Sequence, residues 1–175
     1  MPRIISPAEF QSAGTVSLAR WLLGKVLVRT RRGKRTALRI TETEAYVGEH
    51  DRACHAAKGR TARTDVMYRP GGVWYVYLCY GVHEMLNLVT GPEDRPAAIL
   101  IRSVEGISGP GRVTKALGID RKLNGAAAHP DTGLHLEDDG LVVPPRSIKK
   151  GPRVGVDYAG PVWARKPWRF KLRPG

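Results

Sequence analysis

The chain has 175 residues, enough for one domain with a sizeable core, and its 42% hydrophobic and 26% charged content is that of a globular protein. Twenty-nine Lys and Arg against 16 Asp and Glu give a formal charge of +13 and a pI near 10.3, which favours a polyanionic partner (nucleic acid first, an anionic membrane second) over a merely solvated basic surface. No apolar run approaches the roughly 20 residues of a membrane span, the start MPRIISPAEF lacks a signal-type core, and Cys54 and Cys79 make no disulfide framework, so the expectation is a cytoplasmic protein, nucleoid-associated if bacterial, with reduced thiols.

Ser6-Pro7-Ala8-Glu9 reads as a helix start, with Ser6 as cap and Glu9 closing a capping box. A short helix is predicted over 16–24, VSLARWLLG, stopping at Gly24. Strands follow at 25–30, KVLVRT, and 35–47, RTALRITETEAYV, around a basic RRGK turn. Residues 48–72 are rich in Gly, Arg and Lys with little periodicity and read as a long functional loop. Residues 73–80 and 84–89 read as paired strands, PAAILIRSV as a buried strand, and GPGRVTKALGI as a turn entering a short helix. Residues 120–153 are turn-rich with short strands, and VWARKPWRFKLRP reads as a basic, aromatic tail. Strands and helices mix without a βαβ rhythm, which predicts an α+β fold in a single domain over 1–175.

Three constellations carry chemistry. On a strand, Glu42, Glu44 and Tyr46 share a face, a repulsive pair of carboxylates in a chain poor in acids. Either nearby Arg residues neutralise them or they do acid–base work. The loop HDRACHAAKGRTART interleaves Arg52, Lys58, Arg60 and Arg63 with small residues and Thr, a composition suited to phosphate contacts as well as to a solvated loop. His50, Cys54, His55 and Cys79 fit no standard zinc spacing, so no metal is expected. In VWYVYLCYGVHEMLNLV, Tyr75 and Tyr77 share a strand face opposite Trp74, Val76 and Leu78, while Tyr80 falls at the turn. A large aromatic at a hairpin tip suits insertion between stacked bases.

The ordered set ETEAY at 42–46, CH at 54–55, YVYLCYG at 75–81, Asn87, LIR at 100–102, GPGRVTKALGI at 109–119 and RVGVDYAG-WARKP at 153–167 resembles the alkyladenine (3-methyladenine) DNA glycosylase family from about residue 6 to 171. The resemblance implies a compact, single-domain α/β fold with a protruding hairpin that enters the minor groove; the fold expected for this chain is α+β, a mixed, mostly antiparallel curved sheet with short helices. The resemblance also implies a monofunctional enzyme that flips a damaged purine from double-stranded DNA and hydrolyses its N-glycosidic bond, leaving an abasic site. By position, Glu44 matches the general base, Arg102 a residue holding the attacking water, and the Val154 carbonyl a third water contact. Tyr46, His55 and Tyr77 match the side chains that sandwich the flipped base, and Asn87 a gatekeeper against the 2-amino group of guanine. Tyr80 matches the wedge in the base stack, Arg60 and Arg63 backbone contacts, and Thr61 and Met67 further DNA-binding positions. Val82 and Ala62 depart from a frequent Met beside the wedge and a frequent Pro in the basic loop.

A cationic alkylated purine is a good leaving group, so one carboxylate and one water suffice, in an aromatic pocket that attracts positive charge. No cofactor, membrane or obligate protein partner is expected, and a monomer is the default. No Lys lies in ETEAY to serve as an amine nucleophile. The lesion could be 3-methyladenine, 7-methylguanine, hypoxanthine or ethenoadenine, and Glu42 is expected to be structural or to tune the pocket. Two rivals stand: a nuclease holding Mg²⁺ through Glu42, Glu44 and Asp51, and a non-enzymatic nucleic-acid-binding module.

Overall fold

The computed structural model describes residues 1–12 and 14–174. After strand β1 (Arg3–Ile4) the expected capping box forms: Ser6 Oγ accepts from Ala8 N–H at 3.3 Å, and Glu9 Oε2 accepts from Ser6 N–H at 2.8 Å. What it caps is a single 3₁₀ turn, Pro7–Phe10, that seats Phe10 in the core. Helix α1 (Thr15–Trp21) follows, and the chain leaves it by a turn ending at Gly24, whose φ of +87° suits glycine.

Strands β2 (Val26–Arg31) and β3 (Lys34–Tyr46) form a hairpin. Strands β4 (Trp74–Cys79) and β5 (His83–Thr90) form a second, and β6 (Ala97–Val104) and β7 (Ile107–Ser108) run on to helix α2 (Pro110–Leu117). Strands β8 (Leu134–Asp138) and β9 (Ile148–Gly151), helix α3 (Gly160–Ala164) and strand β10 (Arg169–Leu172) complete the chain. The result is α+β. One open sheet runs β1-β8-β2-β3-β6-β5-β4, with β10 and then β9 added beside β3, and β7 beside β6. Its pairings among the described residues are antiparallel. Among these residues no helix is long and apolar enough to cross a membrane.

Strand β3 organises the molecule. Its first half pairs with β2, and its second half, Ile40–Tyr46, lies between β6 and β10. Alternation sends Thr43 and Ala45 to the α1 side, where Thr43 Oγ1 donates to Ala19 O at 2.7 Å. Glu42, Glu44 and Tyr46 face the other way. In β4 the same rule puts Trp74 and Val76 in the main core and Tyr75 and Tyr77 on the opposite face. Trp74 is fully buried with its indole N–H satisfied by Leu134 O at 3.0 Å, so truncating it would cost about 3–5 kcal/mol.

Two expectations change. Residues 48–72 are a loop with a core of its own: 3₁₀ turns at His55–Lys58 and Asp65–Tyr68 bury Ala56, Val66, Met67 and Tyr68 against the second face of the sheet. The C-terminal segment is no tail. β10 pairs directly with the Glu42–Glu44 stretch, Phe170 sits in the main core, and Trp168 packs against it.

Candidate active site

Glu44 lies on the floor of a cavity of about 900 Å³ on the second face of the sheet. Its carboxylate is held at both oxygens: Oε1 accepts from the Tyr46 hydroxyl at 2.8 Å, and Oε2 from the Val154 N–H at 2.7 Å. Burial pushes the Glu44 carboxyl above its ordinary value, while Arg102, the Val154 N–H and the Tyr46 hydroxyl pull it down and Glu42 pushes it up.

Arg102 reaches this site through an irregularity. The β3–β6 register slips between Glu42 and Thr43, leaving Arg102 as the extra residue of a bulge. Ile101 and Val104 stay in the main core while Arg102 and Ser103 both turn to the carboxylates. The Arg102 guanidinium lies 3.7 Å from Glu44 Oε1 and 3.7 Å from Glu42 Oε1, too long for hydrogen bonds, and its buried Nε–H has no acceptor among the described residues. It sets a positive charge beside both carboxylates. Glu42 is anchored independently, accepting from Ser103 Oγ at 2.8 Å and from Arg169 Nη1 at 3.0 Å.

The walls are aromatic. His55 lies against Tyr77 with ring centroids 4.5 Å apart, and its Nδ1 shares a 2.9 Å hydrogen bond with the Tyr75 hydroxyl. Burial first, then the charges of Arg63 and Lys58, lower the His55 pKa to about 4, so the imidazole is neutral at pH 7. Burial also raises the Tyr75 phenol to about 12 and the Cys54 thiol to about 11, leaving both protonated. Asn87 is buried beside them, its amide nitrogen donating to Tyr75 O at 3.2 Å and Met85 O at 3.3 Å. The rim carries Tyr80, 92% exposed, with φ of +52° beside Gly81 at +67°, the tight-turn backbone that closes the β4–β5 hairpin.

Most of the residues singled out in the sequence thus surround one cavity: Glu44, Tyr46, His55, Tyr77, Asn87 and Arg102, with Tyr80, Arg63, Met67 and Val154 around them. Met67 lies in the buried wall, 2% exposed. Arg63 stacks on Tyr77, its guanidinium 5.1 Å from the ring centroid. Arg60 lies off the cavity, paired with Asp65 at 2.8 Å and Asp94 at 3.3 Å. Thr61 lines an adjoining hollow of about 420 Å³ and is tied to Thr64. Thr64 Oγ1 also donates to Gly59 O, so a threonine pair braces this loop around Ala62.

Sequence reasoning missed what lies behind Tyr46. Arg153 and Asp51 form an ion pair with both side chains fully buried. The same guanidinium donates to Ala45 O at 2.9 Å and Trp163 O at 3.1 Å, and stacks 4.9 Å from the Tyr46 ring centroid. Asp51 also accepts from the N–H groups of Val47 and Ala53. Its carboxylate is consumed there, away from Glu42 and Glu44, so these three do not form the expected alternative Mg²⁺ cluster. Among the described residues no three His, Cys, Asp or Glu side chains are grouped to hold a metal.

The family model described as Methylpurine-DNA glycosylase (MPG) matches residues 9–108 and 105–174. The chain belongs to this family. A protein of Myxococcus xanthus is 47% identical, over 95% of this chain and 89% of its own length. One of Methanocella arvoryzae is 46% identical over 95% and 91%, and one of Legionella pneumophila 41% over 95% and 93%. Each bears the name "Putative 3-methyladenine DNA glycosylase". The chain is accordingly a DNA glycosylase, a repair hydrolase of N-glycosyl bonds with DNA as its partner.

Proposed function

We propose that this glycosylase extrudes a damaged purine from duplex DNA into the cavity and hydrolyses its bond to deoxyribose with a water activated by Glu44. The observation that carries this reading is the pairing of a buried, doubly hydrogen-bonded Glu44 on the cavity floor with an exposed, left-handed Tyr80 on its rim. Tyr80 fills the gap in the stack as the base leaves it, and stacking on Tyr46, His55 and Tyr77, about 1–3 kcal/mol per base, offsets the unstacking cost. Asn87 crowds the position of a guanine 2-amino group.

The C1′–N bond breaks first through an oxocarbenium-like sugar, and the purine departs with the electron pair. The water oxygen bonds C1′ while its proton passes to Glu44. Arg102 and the Val154 carbonyl hold the water. Such general-base help is worth about 10²–10⁴-fold. Glu44 leaves no covalent link to the DNA, so the product is an abasic site with the backbone intact. The substrates in this reading are 3-methyladenine and other alkylated purines, extending to deaminated ones such as hypoxanthine.

The test is base release from a labelled duplex carrying one hypoxanthine or one 7-methylguanine, in EDTA, with hot alkali to cut abasic sites. Wild type should give alkali-dependent cleavage and Glu44→Gln none, while the variant still binds the damaged duplex. Cleavage without alkali, or an active Glu44→Gln, would overturn the mechanism.

A further inference from the structure

The register of the sheet places two lysines where no internal partner explains them. One cross-strand row runs Ser108–Ser103–Glu42–Lys171–Lys149 through strands β7, β6, β3, β10 and β9. Residues directly opposite one another in a ladder share a face. Phe170 and Ile148 go to the main core, so Lys171 and Lys149 stand on the Glu42 face, the face that carries the cavity. Both are exposed.

Directly opposed like charges on neighbouring strands destabilise a sheet. Glu42, the carboxylate opposite Lys171, is already taken by Ser103 Oγ and Arg169 Nη1. Among the described residues neither lysine makes an ion pair. The arrangement costs the free protein stability, a cost that a bound anion would relieve.

We propose that strands β9 and β10 form a second duplex-contact surface, in which Lys149 and Lys171 hold backbone phosphates flanking the extruded nucleotide. In the sheet order the Tyr80 hairpin (β4–β5) lies on one side of β3 and the lysines (β10, then β9) on the other, outside the lining of the cavity itself. A duplex laid across this face from β4 toward β9 would pass over both. Adjacent strands are about 4.8 Å apart, so the lysines stand roughly 5 and 10 Å beyond the Glu42 strand, a reach that fits successive phosphates of one DNA strand. The lysines contact no base and read no sequence; they fix the register of the helix on the protein. This rests on duplex DNA being the substrate of the adjoining cavity.

The experiment measures Kd for an undamaged 25-mer duplex by fluorescence anisotropy against salt concentration. Four proteins are compared: wild type, K149Q/K171Q, the charge-preserving K149R/K171R, and R32Q/K34Q on the distant β2–β3 turn, which loses the same net charge. Each phosphate contact contributes about 0.9 to the salt slope. K149Q/K171Q should therefore lose about two units of slope and weaken on the order of tenfold at low salt. K149R/K171R should keep both. A loss in K149Q/K171Q no larger than in R32Q/K34Q overturns the proposal; so does an intact slope, the result expected if the lysines serve an acidic protein or a lipid headgroup instead. Base release by the wild type, measured in parallel, tests the glycosylase reading separately, because anisotropy on undamaged DNA needs no catalysis.

Discussion

The Val154 N–H donates to Glu44 Oε2 at 2.7 Å across 110 residues of sequence. The adjacent Arg153 guanidinium, fully buried, is clamped by Asp51 and donates to Ala45 O, the carbonyl next to Glu44 in the chain. One residue therefore joins the end of β3 to the loop that orients the carboxylate. Asp51→Asn would leave the Arg153 charge buried and unpaired, at a cost of about 3–5 kcal/mol. Urea unfolding should show that loss. The double variant D51N/R153M removes both charges and should lose less than the sum of the single changes. It should stay poorly active even where folded, because nothing then fixes Val154 against Glu44. Additive stability losses, or a fully active double variant, would show that the clamp does not act on the carboxylate.

The pH dependence of base release follows from Glu44. Its pKa lies above the ordinary 4.5 because burial disfavours the charged form. In the proposed mechanism the ionised carboxylate is the working base, so activity should be complete well above that raised pKa and be lost as pH falls through it. Single-turnover rates between pH 4 and 8 should show an acid limb above the ordinary carboxylate value. His55, with a pKa of about 4, adds no limb near neutrality.

Glu42 bears on the same limb. As a neighbouring negative charge it raises the Glu44 pKa, and it shares Arg102 with Glu44 at 3.7 Å from each. Glu42→Gln removes the repulsion and releases Arg102 toward Glu44. Both effects make Glu44 less basic. The acid limb should move to lower pH, and the plateau rate should fall a few-fold, since a weaker base assists the water less. An unmoved limb with lowered thermal stability alone would leave Glu42 a purely structural residue.

Much of this site was legible because it sits on regular strands. Period-two alternation placed Glu42, Glu44 and Tyr46 together, and likewise Tyr75 with Tyr77, and the Tyr80-Gly81 turn announced the hairpin tip. The bulge that turns Arg102 and Ser103 to the same side follows from how β6 meets β3, which no local pattern encodes. Arg169–Leu172 alternates over only four residues and pairs with a strand more than 120 positions earlier, as the Arg169–Glu42 bond shows, so basic composition hid a core strand. The Asp51–Arg153 clamp is equally non-local: Asp51 lies beside the basic loop in sequence, but its partner is 102 residues away.

Asn87 tests specificity. Its amide nitrogen is fixed by two main-chain carbonyls on neighbouring positions of β4 and β5, which holds the side chain rigidly in the cavity wall. Asn87→Ser removes that bulk. Release of guanine-type bases, with their 2-amino group, should rise relative to hypoxanthine, read as the ratio of kcat/KM on matched duplexes. A ratio unchanged within twofold would remove Asn87 from discrimination.

Tyr80 separates stability from binding. A bulky residue at φ of +52° is strained, and 92% exposure gives the ring little to pack against in the free protein. Asn tolerates the left-handed region far better. Tyr80→Asn should therefore raise the unfolding free energy by about 1 kcal/mol. The same change removes the proposed wedge, so affinity for damaged duplex should fall on the order of tenfold, at about 1–3 kcal/mol per lost stacking contact. Affinity for a single strand, which has no gap to fill, should change much less. Val82, 72% exposed beside it, adds a smaller apolar surface to the tip, and Tyr80→Asn/Val82→Ser should deepen the duplex loss further. Equal losses on duplex and single strand would mean that the tip binds DNA without entering the stack.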